Sequence, residues 1–318
     1  MGVGVFNLNV APPQPNLTKL ALRQAHRKDL LKELCSENSN LSFFEKLRTF
    51  DQIPDKDLNH LIVDDLHGII YCYVPKVACT NWKRVMIVLS QSLKAPSGAL
   101  YKDPLDIPLD LIHNFTLHTT IKKLAEEYGH HSRALLNQKL KNYTKFLFVR
   151  DPFVRLISGF RDKFLASNGY YFDTYGKKML QRYANVSDIS STFEEGSGAS
   201  IRLTFNHFVK YLLDPEIQRR QYDDHWELVH RICHPCQIDY DFIGKLETLE
   251  EDAEHLLKIL GLDKSFRFPP AYDNSTGADW LEKWFADISL AERRELYRVY
   301  EADFKLFGYD KPSTLLEE

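Results

Sequence analysis

Three short apolar runs, each followed by a turn and a helical pattern, constrain the fold of this chain more than any other feature. They cover residues 68–74, 145–149 and 240–244 and are rich in β-branched and aromatic side chains. Runs of this length between turn residues are typical of buried strands. Because strands and helices alternate without an internal repeat, we predict one α/β domain with a central parallel sheet flanked by helices.

The beginning of the chain differs from the rest in composition. Residues 1–15 contain three prolines and are expected to form a disordered lead, and the basic run in 17–50 is interpreted as a helix with a solvated face. We divide the chain into an N-terminal stem or helical lead, residues 1–55, and a main domain, residues 56–318. Thr248 and Glu251 have the spacing of a capping box. Helices are predicted at 80–93, 118–128, 132–141, 153–164, 173–184, 204–213, 223–232, 249–260 and 290–306.

Asparagine sequons are the first indication of the compartment. Asn-X-Ser/Thr occurs six times, which is more often than the composition produces by chance. Such an excess indicates a chain made in the secretory pathway. The sequons begin at Asn16, Asn40, Asn114, Asn142, Asn185 and Asn274.

Five cysteines are too few for a disulfide-built scaffold, and their odd number leaves at least one thiol unpaired within the chain. Cys233 and Cys236 form a Cys-X-X-Cys pair that could bind a metal, perform redox chemistry or close a tight disulfide. Zinc requires two further ligands at suitable spacing, and the sequence has no second pair. We favour a structural disulfide, provided that the compartment is oxidising. The remaining cysteines are Cys35, Cys72 and Cys79.

The overall charge and hydropathy exclude two classes of protein. A formal net charge of −3 means that the whole molecule does not attract nucleic acid, so any polyanion must be met by a local basic surface. No run of 18 or more apolar residues occurs, so nothing in this sequence is expected to span a bilayer.

The first strand-to-helix turn, residues 75–81, is suited to binding a phosphate. Ligands of parallel sheets bind beyond the carboxyl ends of the strands, where a helix N-terminus presents free N–H groups and partial positive charge. Lys76 adds a full charge, and Thr80 and Asn81 add hydrogen-bond donors, without the glycines of a Walker loop. We expect the backbone N–H groups of 77–81 to hold a phosphate; the alternative is a surface lysine in a tight turn.

The second strand-to-helix turn, residues 150–158, offers another anion site. Arg150 ends its strand with a planar guanidinium suited to phosphate oxygens. Asp151 and Pro152 are predicted as the N-cap and first residue of the following helix. Ser158 lies about two helical turns further, off the apolar stripe, where its hydroxyl reaches the same anion. The alternative is an Arg–Asp surface pair beside a solvated serine.

These two turns resemble the donor-binding motifs of the Golgi carbohydrate sulfotransferases. Residues 75–84, PKVACTNWKR, resemble the 5′-phosphosulfate loop of that family. Residues 148–158, FVRDPFVRLIS, resemble its 3′-phosphate motif. The similarity extends over roughly residues 60 to 312 and includes 63–65, 233–236, 240–248 and 300–304.

The resemblance implies a P-loop-like sulfotransferase fold that takes sulfate from 3′-phosphoadenosine 5′-phosphosulfate (PAPS), without a metal. It also implies transfer to O4 of N-acetylgalactosamine in chondroitin or desulfated dermatan, with no nucleic acid partner. Family members are type II membrane proteins of the Golgi lumen; their N-terminal anchor is not part of this sequence. The residues assigned to the donor are Pro75, Lys76, Val77, Ala78, Cys79, Thr80, Asn81, Arg150, Asp151, Pro152, Phe153, Val154, Arg155, Leu156, Ile157 and Ser158.

Two histidines are candidates for the base that removes the acceptor proton, while Lys76 is expected to stabilise charge on the bridging oxygen. His113 lies between the two motifs, where related glycosaminoglycan 2-O-sulfotransferases carry a catalytic histidine. An imidazole titrates near neutrality and is therefore suited to proton removal. His225 is the second candidate. The alternative for His113 is a histidine packed in a loop.

Three other functions compete with this one. A Mg²⁺-dependent nucleotide phosphotransferase or ATPase is opposed by the absence of Gly-Lys-Ser/Thr and of a clear acidic metal ligand. The others are a sulfotransferase for another glycan and a catalytically silent glycan-binding protein.

Because the expected acceptor is acidic, we also predict a basic rim around the cleft that binds it. The rim candidates are Lys141, Lys145, Arg155, Arg161, Lys163, Arg219 and Arg220.

Overall fold

The sheet has four strands, and three of them are the predicted runs. A computed structural model describes residues 15–36, 49–129, 132–166, 169–184, 202–270 and 277–317. Three parallel strands are joined at one edge by an antiparallel strand, which the sequence analysis did not predict. Gly68 closes the turn between the antiparallel pair with a φ of 65°, a conformation that favours glycine. In spatial order the strands are β1 (Leu61–Asp64), β2 (Ile69–Cys72), β3 (Thr144–Val149) and β4 (Phe242–Lys245).

Helices connect these strands and cover the sheet. The α-helices are α1 (Pro15–Leu34), α2 (Cys79–Ser90), α3 (Leu109–Ile112), α4 (Ile121–Tyr128), α5 (Ser132–Asn142), α6 (Pro152–Phe160), α7 (Gly169–Tyr171), α8 (Lys177–Tyr183), α9 (Phe205–Leu213), α10 (Pro215–Gln218), α11 (Val229–Cys233), α12 (Leu249–Ile259), α13 (Leu281–Phe285), α14 (Leu290–Leu306) and α15 (Ser313–Leu316). Two π-helical turns are Arg161–Leu165 and Phe172–Gly176, and 3₁₀ turns are Phe50–Gln52, Asp55–Leu58, Pro104–Asp106, Phe115–Leu117, Leu246–Thr248 and Ala278–Trp280. Within the described residues, no helix is both long and apolar enough to cross a membrane.

One predicted helix is wrong and another lacks its predicted cap. Of the helix expected at 223–232, only the last part is helical, because the buried Glu227 carboxylate accepts the N–H groups of Tyr222 and Leu228 and stabilises a loop. The capping box on α12 is also wrong, because the Thr248 hydroxyl donates to Asp252 at 2.6 Å instead. The lead expected at 1–15 lies, apart from its last residue, outside the described residues.

The main core lies between the sheet and its flanking helices. Trp82 of α2 packs on the rings of Phe146 and Phe148 of β3, with ring centroids 4.7 and 5.0 Å apart. Gly244 is the register partner of Phe148 on β4, and a Cβ at this glycine would lie 2.2 Å from that ring. A larger residue at Gly244 would therefore displace the aromatic cluster that Trp82, Phe146 and Phe148 form.

Helix α1 is only partly the solvated basic helix that its sequence suggested, because Lys19, Lys28 and Lys32 are exposed but its two arginines are not. Arg27 is 9% exposed and donates 2.7 Å hydrogen bonds to the Ile243 carbonyl and to the Asp252 carboxylate. Arg23 forms an ion pair with the same carboxylate at 3.3 Å. These contacts join α1 to β4 and α12, while the division of the chain at residue 55 stays a prediction.

The disulfides join different elements from those expected. The tight disulfide predicted between Cys233 and Cys236 is wrong, because each cysteine pairs with a distant one. Cys233 bonds to Cys72 of β2, and Cys236 bonds to Cys35 just after α1. His234 between them has a φ of 47° and ends α11 in a left-handed conformation. The prediction of an unpaired thiol is confirmed, and that thiol is Cys79.

Candidate functional site

The loop from β2 to α2 makes a tight turn between the strand and the helix. Lys76 and Ala78 have φ angles of 70° and 51°, a left-handed conformation that costs a non-glycine residue about 1 kcal/mol. The loop keeps this shape because its carbonyls have partners behind it. Arg155 Nε donates to the Pro75 carbonyl at 3.0 Å, and Arg150 Nη1 donates to the Lys76 carbonyl at 3.3 Å. The first turn of α2 then presents N–H groups that have no partner inside the helix.

The loop from β3 to α6 lies beside the first one. Asp151 caps α6 as predicted, since its carboxylate accepts the N–H groups of Phe153 and Val154, both at 2.9 Å. These two N–H groups are therefore already satisfied, and an anion here must be held mainly by side chains. Arg150 is buried, and burial lowers its pKa to about 10 against the opposing charge of Glu247. It remains a cation at neutral pH.

Several of the residues predicted to bind the donor have their side chains in the core. This restricts any contact between them and a ligand to their backbone atoms. Ser158 is half-buried and Thr80 is partly accessible, so both hydroxyls remain available to the site. The core side chains are Val77, Phe153, Val154, Leu156 and Ile157.

Lys76 faces a carboxylate that the sequence analysis missed. Its Nζ lies 3.3 Å from Asp162 Oδ2, and Lys163 Nζ lies 3.0 Å from the same oxygen. Burial alone would raise the pKa of Asp162, but the two lysines lower it; burial lowers the pKa of Lys76. Asp162 follows α6 in the π-helical turn Arg161–Leu165, a type of turn that is frequent at functional sites. Nothing in the local sequence distinguishes this aspartate from a solvated one.

The structure brings His113 to the first loop. Its Nε2 lies 3.2 Å from the Thr80 hydroxyl, although the two residues are 33 positions apart. Loss of solvation lowers the pKa of His113 to about 4, and the positive charges of Lys83 and Lys163 contribute in the same direction. His118 and His225 add smaller effects of the same sign. The imidazole is therefore neutral near pH 7 and can accept a proton.

His225 lies near the same region and belongs to the segment before α11. Its Nδ1 lies 2.7 Å from Asp223 Oδ1 and 3.1 Å from the Tyr171 hydroxyl. Burial lowers its pKa, while Asp223 opposes this effect. Gly159 allows the approach, since a Cβ there would lie 3.2 Å from the His225 carbonyl oxygen. His225 thus has a fixed orientation beside the charges of Lys76 and Lys163.

A buried lysine on α2 completes the group of cations. Lys83 is 7% exposed, and its Nζ lies 3.7 Å above the ring of Tyr73. That ring stacks on His60, whose Nε2 lies 3.2 Å from Asp224. Lys83 and Thr80 are three residues apart and so share one face of α2. Within the described residues Lys83 forms no ion pair with a carboxylate, so its charge acts on the site.

Two candidates for the basic rim are wrong, and two others, Arg219 and Arg220, line a separate cavity whose lining includes no residue of either loop. Arg155 is 1% exposed, and its guanidinium donates to the carbonyls of Pro75, Asp224 and Glu227. Lys145 is buried and pairs with Asp241 at 2.7 Å. The first holds loops together and the second joins β3 to the residue before β4. In the described part of the chain no cluster of His, Cys, Asp and Glu has the arrangement of a metal site.

Two neighbouring loops at one sheet edge bring buried cations and a neutral imidazole together, and this arrangement can accommodate an anionic group. The family model described as "Sulfotransferase family" matches residues 59–310, which is most of the chain. The chain therefore belongs to the sulfotransferase family and is a sulfotransferase.

Individual relatives extend this comparison. The chain is 54% identical over 297 residues to carbohydrate sulfotransferase 12 of Mus musculus, covering 93% of the chain and 70% of the relative. It is 52% identical over 294 residues to carbohydrate sulfotransferase 12 of Xenopus laevis, covering 92% and 70%. Carbohydrate sulfotransferase 11 of Rattus norvegicus is 38% identical over 307 residues, covering 96% and 81%. No solved protein structure gives a significant match.

Proposed function

We propose that this sulfotransferase moves a sulfuryl group from PAPS to O4 of N-acetylgalactosamine in chondroitin or desulfated dermatan. The observation that carries the proposal is the pair of neighbouring loops, joined by the hydrogen bond from Arg150 to the Lys76 carbonyl. Two anion sites at one sheet edge suit a donor with phosphates at both ends. The names of the relatives support a carbohydrate acceptor.

In this proposal each side chain has a defined task. His113 accepts the proton of the acceptor hydroxyl as its oxygen forms a bond to sulfur. The bond between sulfur and the bridging phosphate oxygen breaks, and Lys76 stabilises the charge that this oxygen gains. The N–H groups of the first loop hold the 5′-phosphate, while Arg150 and Ser158 hold the 3′-phosphate. Positioning and electrostatics supply most of the rate, as in phosphoryl transfer.

Calorimetry and sulfate transfer test the proposal together. Purified protein should bind adenosine 3′,5′-bisphosphate, and the double substitution Lys76→Ala/Arg150→Ala should abolish the heat of binding. Labelled sulfate should pass from PAPS to chondroitin, with dermatan and heparan as comparison acceptors. Equal binding after both substitutions would overturn the donor assignment, and transfer only to another acceptor would overturn the choice of glycan.

Two competing functions give different results in the same assays. A Mg²⁺-dependent phosphotransferase would lose its activity in excess EDTA, whereas we expect this protein to keep its full sulfotransferase activity under that condition. A silent glycan-binding protein would bind chondroitin without transferring sulfate to it.

We also propose that the chain works in the Golgi lumen as part of a type II membrane protein. The two disulfides and the sequons support this, because such bonds persist in oxidising compartments. Digestion of the cellular protein with an N-glycosidase should reduce its apparent mass, and an unchanged mass would count against passage through the secretory pathway.

A further inference from the structure

A cavity, here called the second cavity, lies apart from the two loops of the candidate site, residues 75–81 and 150–158, which are here called the donor loops. Its volume is about 360 Å³, and it opens between the 3₁₀ turn Asp55–Leu58 and the segment that connects α10 to β4. The function proposed above does not use it. The charged side chains in its lining are Lys56, Asp57, Arg219, Arg220, Glu227 and Arg231.

The cavity carries surplus positive charge in a chain whose net charge is negative. Lys56 and three arginines face only two carboxylates, those of Asp57 and Glu227. Glu227 is buried, already accepts two backbone N–H groups, and lies 3.7 Å from Arg231.

The remaining cations are available to a ligand. Lys56, Arg219 and Arg220 are exposed, and within the described residues none of them forms an ion pair with a carboxylate. Arg219 uses only its Nε, which donates to the Pro215 carbonyl at 3.1 Å. Three such cations around a concave surface fit an acidic ligand that reaches the cavity from solvent.

One buried side chain holds the wall of this cavity to the donor loop. Arg155 donates to the carbonyl of Glu227 at 2.6 Å and to that of Asp224 at 2.9 Å, while its Nε holds the Pro75 carbonyl. The segment 221–228 therefore separates the two sites. It presents Gln221 and Glu227 to the cavity and places His225 next to the donor loop.

We propose that this cavity is a second acceptor site, which binds the acidic groups of the polysaccharide several sugars away from the one that is sulfated. The inference rests on the proposed function in one respect, that the acceptor is an acidic glycan chain. Carboxylates or sulfates that repeat along one polymer can occupy the cavity and the reaction centre together. The second contact is then intramolecular, which raises the affinity for long chains without changing the chemistry.

The test compares a long acceptor with a short one. In Arg219→Gln/Arg220→Gln, the KM for chondroitin polymer should rise about tenfold, since the second contact is weakened. The kcat, the KM for a chondroitin tetrasaccharide and the affinity for adenosine 3′,5′-bisphosphate should not change. The matched control is Lys258→Gln/Lys264→Gln, which removes two exposed cations outside the cavity and should leave both KM values as they are.

The possible outcomes separate the proposal from its rivals. An unchanged KM for the polymer, or an equal rise for the tetrasaccharide, overturns a distant acceptor site. Loss of nucleotide affinity instead identifies the cavity as part of the donor site. If the wild type sulfates no chondroitin, the proposed acceptor fails; retention on immobilised chondroitin then tests the cavity directly, and the double variant must elute at lower salt than the wild type.

Discussion

At the scale of the residue, the site depends on side chains whose pKa values are set by their neighbours. His113 has a pKa of about 4, far below its usual value, because the ring loses solvation and faces Lys83 and Lys163. A base with a lowered pKa stays neutral over the whole physiological range. The positive charges of Lys83 and Lys163 therefore help to keep the imidazole neutral, in the state that can accept a proton.

The first prediction concerns the base. His113→Ala should lower kcat by about 10²–10⁴-fold, the usual contribution of a general base, with little change in nucleotide affinity. In the wild type kcat/KM should hold from neutrality down to about pH 4, because activity is lost only when His113 gains a proton. Initial rates across the pH range measure both effects.

Lys83→Met provides the matched variant for that prediction. Removing a positive charge makes protonation of His113 easier, so the acid limb of kcat/KM should move to higher pH. Lys258→Met, on an exposed surface, should leave the limb in place. If His225→Ala removes the acid limb from the pH profile of kcat/KM and His113→Ala does not, the roles of the two histidines are reversed.

The second prediction concerns glycosylation next to the base. Asn114 is exposed, but its side-chain oxygen accepts hydrogen bonds from the Thr116 N–H and hydroxyl, and a glycan here would crowd the acceptor. We expect Asn114 to be unmodified in active protein, while the exposed Asn142, at the end of α5, can serve as the internal comparison. Mass spectrometry of intact glycopeptides measures both occupancies. Full occupancy of Asn114 in active enzyme would contradict the role of His113.

At the scale of the element, Arg155 joins its own helix to two loops that sequence patterns treat as independent. It lies on α6 and donates to carbonyls of the β2–α2 loop and of the segment before α11. Each carbonyl is 69 to 80 positions away along the chain. The positions of the donor loop and of His225 therefore depend on one guanidinium.

The third prediction separates this positioning role from direct binding of the donor. Arg155→Met should lower the free energy of unfolding by about 2–5 kcal/mol, because it leaves buried carbonyls without donors. Nucleotide affinity should fall with it as the loop loosens. Denaturant unfolding and calorimetry measure the two quantities. Arg155→Lys keeps the charge without the planar fork and should recover only part of the stability. Unchanged stability with lost affinity would show instead that Arg155 contacts the nucleotide.

At the scale of the whole molecule, two disulfides connect early parts of the described chain to the region of α11. Cys35–Cys236 and Cys72–Cys233 span 201 and 161 positions, and they end at Cys233, the last residue of α11, and at Cys236 just after it. Long loops closed in this way restrict the unfolded chain more than the native one. The segment that they hold is continuous with the wall between the donor site and the second cavity.

The fourth prediction follows from these links. Cys72→Ser/Cys233→Ser should lower the free energy of unfolding by about 2–4 kcal/mol. Dithiothreitol should destabilise the wild type at least as much. Cys79→Ser should retain the dependence of stability on dithiothreitol, because Cys79 is not in a disulfide. Equal stability of fully reduced and oxidised protein, measured by urea unfolding, would contradict a structural role for these bonds.

The sequence by itself determined the three parallel strands, the two strand-to-helix turns beyond them and the cap of α6. These features follow from local rules: β-branched and aromatic runs favour strands, and an Asp-Pro pair satisfies the first N–H groups of a helix. The family also followed from the sequence, because its two motifs are continuous segments of the chain.

Only the tertiary structure decided which distant side chains meet. The contact of His113 with Thr80, the pairing of Lys76 with Asp162 and the burial of Arg155 each join separate elements. The same holds for the partners of Cys233 and Cys236 and for the antiparallel edge strand. Helical and strand periodicity specifies which face of an element is buried but not which element covers it. Those pairings are set by packing across the whole core.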